Sequence, residues 1–310
     1  MHRLNELLEA MVAQHAALAL PTDVDATGAV QAASASDEPR ALAYAAARRL
    51  GFIENDARCV AQAWQRQSER MGEFDAALWP MHAQDFGLGS WPREGGFAPC
   101  PHQLGLYAVL PTAEWVGRMA RAGVPTLQLR FKSTDPAAVR AEVQRAVAAV
   151  QGTESLLFIN DHWRVALEAG AYGVHLGQED LDTLTREDLD TMRQAGVRLG
   201  VSTHGYAEMC RADAVGPSYI AMGAVFPTTL KAMPTAPQGL GRLSAYAALM
   251  HQRPVVAIGG IALEHLAAVA ATGVGSFAVV RAITAAAHPE AAAEELARTF
   301  ASAQMSAAKM

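Results

Sequence analysis

The feature that most constrains this chain is a repeat. From Leu104 onward a short, almost wholly apolar run is followed by an Ala-rich run with helical spacing, and the pairing recurs. The apolar runs are GLYAVL, TLQLR, LLFIN, YGVHL, RLGVS, YIAMGAV, VVAIGG and SFAVV. Stretches such as AEWVGRMARAG, PAAVRAEVQRAVAAV, LDTMRQAG and EHLAAVAATG lie between them. Strands that are apolar on both faces belong to parallel sheets covered by helices. About eight such units in roughly 200 residues predict a closed (β/α)8 TIM barrel. A doubly wound open sheet is the alternative. The first strand is not followed by G-x-G-x-x-G, which counts against the dinucleotide-binding version of that fold.

The first hundred residues read differently. MHRLNELLEAMVAQHAALAL is interrupted by Glu6, Glu9, Gln14 and His15, so it predicts an amphipathic helix rather than a signal peptide. Pro21 to Arg40 is small and polar and reads as loop or disorder. RALAYAAARRLGF and ENDARCVAQAWQRQSERM have helical periodicity, and Gly51 is a plausible C-cap for the first. Phe86 to Pro101 is rich in Gly and Pro and reads as a linker. The expected organisation is a mainly helical N-terminal extension over residues 1–100 and a barrel over residues 101–310.

Composition narrows the function class. Hydrophobic residues make up 51% of the chain, enough for a sizeable core, and the formal net charge is −6. That balance argues against a general nucleic-acid binder, so any anion site must be local. The three cysteines, Cys59, Cys100 and Cys210, are widely spaced. They form no metal-finger pattern and fit a reduced, cytoplasmic setting. No uninterrupted apolar run approaches the ~18 residues of a membrane span.

In a (β/α)8 barrel the chemistry sits at the C-terminal strand ends. The second strand ends with Gln128, Arg130 and Lys132 on alternate positions, so three long polar side chains point one way. Arg offers a planar fork to phosphate and Lys a compact charge. The third strand ends in Asn160 and Asp161, which equally suit a turn or a helix cap. The fourth ends in VHLGQED, with His175 read as a hydrogen-bonded core histidine and Asp180 as a second carboxylate near the mouth. Neighbouring strands would let Asp161 and Asp180 converge on one Mg²⁺. Ser202 and His204 follow the fifth strand, and Ser202 suits either a phosphate donor or a loop cap. Lys231 lies in the long loop FPTTLKAMPTAPQG after the sixth strand. Gly259 and Gly260 after the seventh strand, with Val280 and Arg281 after the eighth, occupy the usual phosphate address of this fold. The mouth therefore reads as a diphosphate site beside a monophosphate site, with no covalent nucleophile required.

QLRFK, FINDH, VHLGQED, GVSTH, GAVFPTTLK and AIGGI, in this order, resemble thiamine-phosphate synthases over about Leu104 to Ala301. The resemblance implies a Mg²⁺-dependent transferase acting on small molecules, with no nucleic acid or membrane partner and with homo-oligomerisation left open. It would condense 4-amino-2-methyl-5-pyrimidinylmethyl diphosphate with a thiazole phosphate, or its carboxylate, through a dissociative, carbocation-like step. The implied pyrimidine-diphosphate residues are Gln128, Leu129, Arg130, Phe131, Lys132, Asn160, Ser202 and Lys231, of which Arg130, Lys132 and Lys231 are the catalytic cations. The implied metal ligands are Asp161 and Asp180. The implied thiazole-phosphate contacts are Thr228, Thr229, Leu230, Gly260, Val280 and Arg281.

Three positions depart from the family pattern. Leu230 stands where a second threonine is usual, Arg281 where a serine is usual, and VLPT where the first strand often ends in Thr-Asp. Two other readings remain open, a thiazole tautomerase-like barrel and a non-catalytic regulatory barrel that binds thiamine precursors. The N-terminal helices faintly resemble the last helices of hydroxymethylpyrimidine phosphate kinases. They carry no nucleotide-binding glycine motif, so a docking appendage or fusion remnant is expected there.

Overall fold

The computed structural model describes residues 2–22, 38–229 and 235–307. The expected loop within Pro21 to Arg40 falls largely outside these, as do Leu230 and Lys231. The chain divides into two compact units, Met1–Ser90 with Gly205–Ala214, and Trp91–His204 with Val215–Met310.

The second unit is the barrel that the repeat predicts. Its strands are β1 (Gly105–Leu110), β2 (Thr126–Leu129), β3 (Leu156–Asn160), β4 (Gly173–Leu176), β5 (Arg198–Thr203), β6 (Tyr219–Met222), β7 (Val255–Ile258) and β8 (Ser276–Val279). They pair in sequence order, all in parallel, and β8 closes on β1. Every strand lies inside or within a residue of one of the apolar runs read from the sequence. Such runs can be recognised because a barrel strand is covered by helices outside and side chains inside.

The helices start where local chemistry stops the strand. Thr112 caps Ala113–Arg121 through its side chain, and Asp135 caps Pro136–Ala149, which carries Pro in its first turn. The barrel interior packs Tyr107, Phe158, Tyr219, Val256 and Ala278 around one another. Two glycines make room for the rings. A β-carbon at Gly173 would stand 2.5 Å from the Phe158 ring, and one at Gly200 would stand 2.1 Å from the Tyr219 ring. Cys100 packs in the same cluster, and burial pushes its thiol up to about 12.

The first unit contains the helices His2–Gln14, Glu38–Arg49 and Glu54–Met71, joined by most of the helix Tyr206–Val215. Gly51 follows the second of these with φ 80°, a left-handed turn that favours glycine. The core of this unit is aromatic. Trp79 stacks on Phe52 and meets Trp64 and His15 edge-on, while Phe86 stacks on Tyr206. Both indole N–H groups have acceptors, Trp64 at the Asp75 carbonyl and Trp79 at the Tyr206 hydroxyl. Asp56, only 3% exposed, accepts from the Ala207 N–H at 2.8 Å and so caps the helix Tyr206–Val215. The side chains of Cys59 and Cys210 meet with their Sγ atoms 3.5 Å apart. No described helix is long and apolar enough to cross a membrane.

Candidate active site

The C-terminal strand ends gather the expected polar residues at one end of the barrel. Gln128, on β2, points inward and is 3% exposed. Its Nε2 donates to the Tyr107 hydroxyl of β1 at 3.0 Å. Two positions further, Arg130 lies just past the end of β2, yet its N–H still bonds to the Leu110 carbonyl at 2.8 Å. Backbone pairing with β1 therefore continues one residue past the end of β2. Arg130 is half-buried and Lys132 is exposed.

Asn160 closes β3 and pairs in register with His175 of β4. Asp161 follows with φ 65°, a left-handed backbone that Asp and Asn tolerate better than most residues. Its own N–H bonds to the His175 carbonyl. Its carboxyl sits above the usual range, first because it has lost water and second because Asp180 carries a like charge beside it. His162, Arg130 and Lys132 act in the opposite direction. Asp180 accepts the Gly177 N–H at 2.7 Å, which ties it to the start of its own short helix.

Deeper in the barrel, polar side chains form one continuous row. The hydroxyls of Tyr107 and Tyr219 are 2.7 Å apart. The Tyr219 hydroxyl meets His175 Nδ1 at 2.7 Å, and His175 Nε2 meets Ser202 Oγ at 2.8 Å. His175 is thus a hydrogen-bonded core histidine, and it connects Ser202 to the barrel interior. Gln178 Nε2 donates to the Ser202 carbonyl at 2.8 Å and holds that strand end from the other side. Sequence reasoning missed Tyr107, Tyr219 and Gln178. A tyrosine within an otherwise apolar parallel strand was the available signal, since a buried phenol needs a hydrogen-bond partner.

The second anion address is built from β6, β7 and β8. Gly259 and Gly260 both have positive φ, 101° and 65°. A β-carbon at Gly260 would stand 2.6 Å from the Pro227 carbonyl oxygen and 2.8 Å from Phe226 Cβ. Only glycine lets the loop after β7 lie this close to the loop after β6. Phe226 N–H bonds to the Gly259 carbonyl across that contact. Arg281 donates to Thr229 Oγ1 at 3.0 Å, which brings these two candidate residues together. Val280 lies beside them at the end of β8, half-buried against the barrel core. Thr228 is half-buried in the same loop.

A family model described as thiamine monophosphate synthase matches residues 106–283, from β1 through β8. The chain belongs to the thiamine monophosphate synthase family. A thiamine-phosphate synthase of Neisseria meningitidis is 58% identical over 195 residues, covering 63% of this chain and 94% of that one. One from Cronobacter sakazakii is 56% identical over 188 residues, covering 61% of this chain and 88% of its own length. Among solved structures, a thiamine phosphate pyrophosphorylase from Pyrococcus furiosus superposes with a TM-score of 0.56 at 27% identity. It covers 64% of this chain and 96% of that one. The family, the barrel and the transferase class implied by the strand-end motifs are thereby borne out.

Proposed function

We propose that this member of the thiamine monophosphate synthase family joins a pyrimidinylmethyl diphosphate to a thiazole phosphate. The observation that carries the reading is the electrostatic pattern at the barrel mouth. Asp161 is repelled by the neighbouring carboxylate of Asp180 and attracted by Arg130 and Lys132. Neighbouring carboxylates that repel are suited to share a hard cation, and two of them leave positions for water and phosphate oxygens. The residues therefore fit Mg²⁺, which when bound would neutralise charge on the diphosphate.

The reaction then follows from what the side chains can do. The methylene C–O bond breaks, and its electron pair leaves with the diphosphate. The aminopyrimidine stabilises the positive charge on the methylene carbon. Arg130 and Lys132, just past the end of β2, stabilise the negative charge growing on the leaving group. Gln128, Asn160 and Ser202 orient the pyrimidine diphosphate, with the backbone of Leu129 and Phe131 continuing its cradle. The lone pair of the thiazole nitrogen then forms the new C–N bond. Thr228, Thr229, Gly260, Val280 and Arg281 hold the thiazole phosphate for that attack. Lys231 joins the cations by family resemblance alone.

Coupling is tested by incubating the protein with both substrates, with and without Mg²⁺, and measuring thiamine phosphate and diphosphate. Stoichiometric appearance of both products, dependent on Mg²⁺, is expected. Thiazole tautomerisation without coupling, or tight binding without turnover, would overturn the reading.

A further inference from the structure

The polar row inside the barrel has a direction. The amide nitrogen of Gln128 can only donate, so the Tyr107 oxygen accepts from it. Tyr107 is 1% exposed, and its single proton must be placed on an acceptor. The Tyr219 oxygen, 2.7 Å away, takes it. Tyr219 therefore sends its own proton to His175 Nδ1. A neutral imidazole that accepts at Nδ1 carries its hydrogen on Nε2, which faces Ser202 Oγ at 2.8 Å. Ser202 is thus an acceptor within the row, and its own hydrogen is left for an acceptor outside it. Running the row the other way would leave the Tyr107 proton without a partner in a closed interior. Burial raises the pKa of both phenols, which keeps their protons in place.

We propose that His175, oriented by Tyr107 and Tyr219, is a positioning residue that makes Ser202 a one-way hydrogen-bond donor to the substrate. The proposal rests on the assignment of Ser202 to the pyrimidine diphosphate. Electrostatic catalysis gains most from dipoles that are oriented before the charge develops. A serine hydroxyl ordinarily rotates between partners, and here the interior of the barrel removes that choice.

The test is a double-mutant cycle read in single turnover, following diphosphate release from the pyrimidine substrate. Tyr219→Phe keeps the ring that packs against Phe158 and removes the hydroxyl that joins Tyr107 to His175. Ser202→Ala and Tyr219→Phe should each slow release by about ten- to a hundredfold. The double variant should fall within about twofold of Ser202→Ala, because both changes remove the same donation. His175→Gln retains an N–H at the position of Nε2 and should recover most of the rate, whereas His175→Leu should match Ser202→Ala. Multiplying losses in the double variant, or equal rates for the Gln and Leu variants, would overturn the relay while leaving the proposed reaction standing. A fully active Ser202→Ala protein would instead remove Ser202 from the substrate, and the inference with it. Wild-type protein that fails to couple would sink the proposed function itself.

Discussion

The Tyr219 ring lies against the bare Cα of Gly200, where a β-carbon would stand 2.1 Å from the ring. The two residues face each other across the β5–β6 pair, with Gly200 in register with Tyr219. The phenol can reach both Tyr107 and His175 only because position 200 has no side chain. Gly200→Ala should therefore destabilise the barrel by about 1–3 kcal/mol through overpacking. Urea denaturation would read this as a lower midpoint at unchanged slope. Diphosphate release should slow as well, since the ring cannot move without its hydroxyl.

Asp161 should make the metal-free protein less stable at neutral pH than an uncharged residue would. Its carboxyl is raised by lost hydration and by Asp180. A raised native pKa stabilises the fold fully below the unfolded value, and that contribution is lost as pH rises through the native one. Asp161→Asn removes the charge and keeps a residue that accepts the left-handed backbone. Its melting temperature without metal should exceed that of the wild type by about 1–2 °C at pH 7, as fits partly exposed charges. The gain should close on acidification below the ordinary carboxylate range, and coupling should fall by about tenfold or more. A lower melting temperature at pH 7 would contradict the argument.

Arg281 should act on the thiazole substrate alone. It is exposed and donates to Thr229, so it presents a cation beside the β6 loop without touching the β2 cluster in any described contact. Arg281→Ala should raise KM for the thiazole phosphate about tenfold at low salt, with kcat within about twofold. Added salt should shrink the difference. An equal loss in single-turnover diphosphate release would place Arg281 elsewhere in the reaction.

Asp56 should be a structural acid. It caps the helix Tyr206–Val215 from the helix Glu54–Met71, and Asp56→Ala should cost about 1–2 kcal/mol of stability. Removal of residues 1–90 goes further, since it also takes Trp79 from the Tyr206 hydroxyl and Phe86 from its ring. The remaining chain should melt roughly 10 °C lower and bind apolar dyes. Calorimetry that returned an unchanged melting temperature would refute this dependence.

The strands and the strand-end residues were legible for a common reason. A parallel barrel imposes a repeat on the chain, and its chemistry falls at fixed points of that repeat. Gln128 and Ser202 could be picked out because each is a polar residue near the C-terminal end of an apolar run. The row they belong to could not be read this way. Tyr107 and Tyr219 lie on strands far apart in sequence, and only barrel closure brings their hydroxyls together. Likewise the apolar face of the helix Tyr206–Val215 reads the same whichever helices cover it. Its grouping with residues 1–90 is a tertiary fact with no local signal.

That grouping sets the order in which the molecule can be assembled during synthesis. The chain leaves its first unit at Ser90 and returns to it only at Gly205. A ribosome must therefore deliver β1 through β5 before the last helix of the first unit exists. At the usual pace of translation the interval is on the order of 10 s. Throughout it, the aromatic surface of Phe52, Trp79 and Phe86 waits for Tyr206. The nascent chain thus carries an unfinished apolar face while half of a barrel is being made, and that face is what a chaperone would meet first.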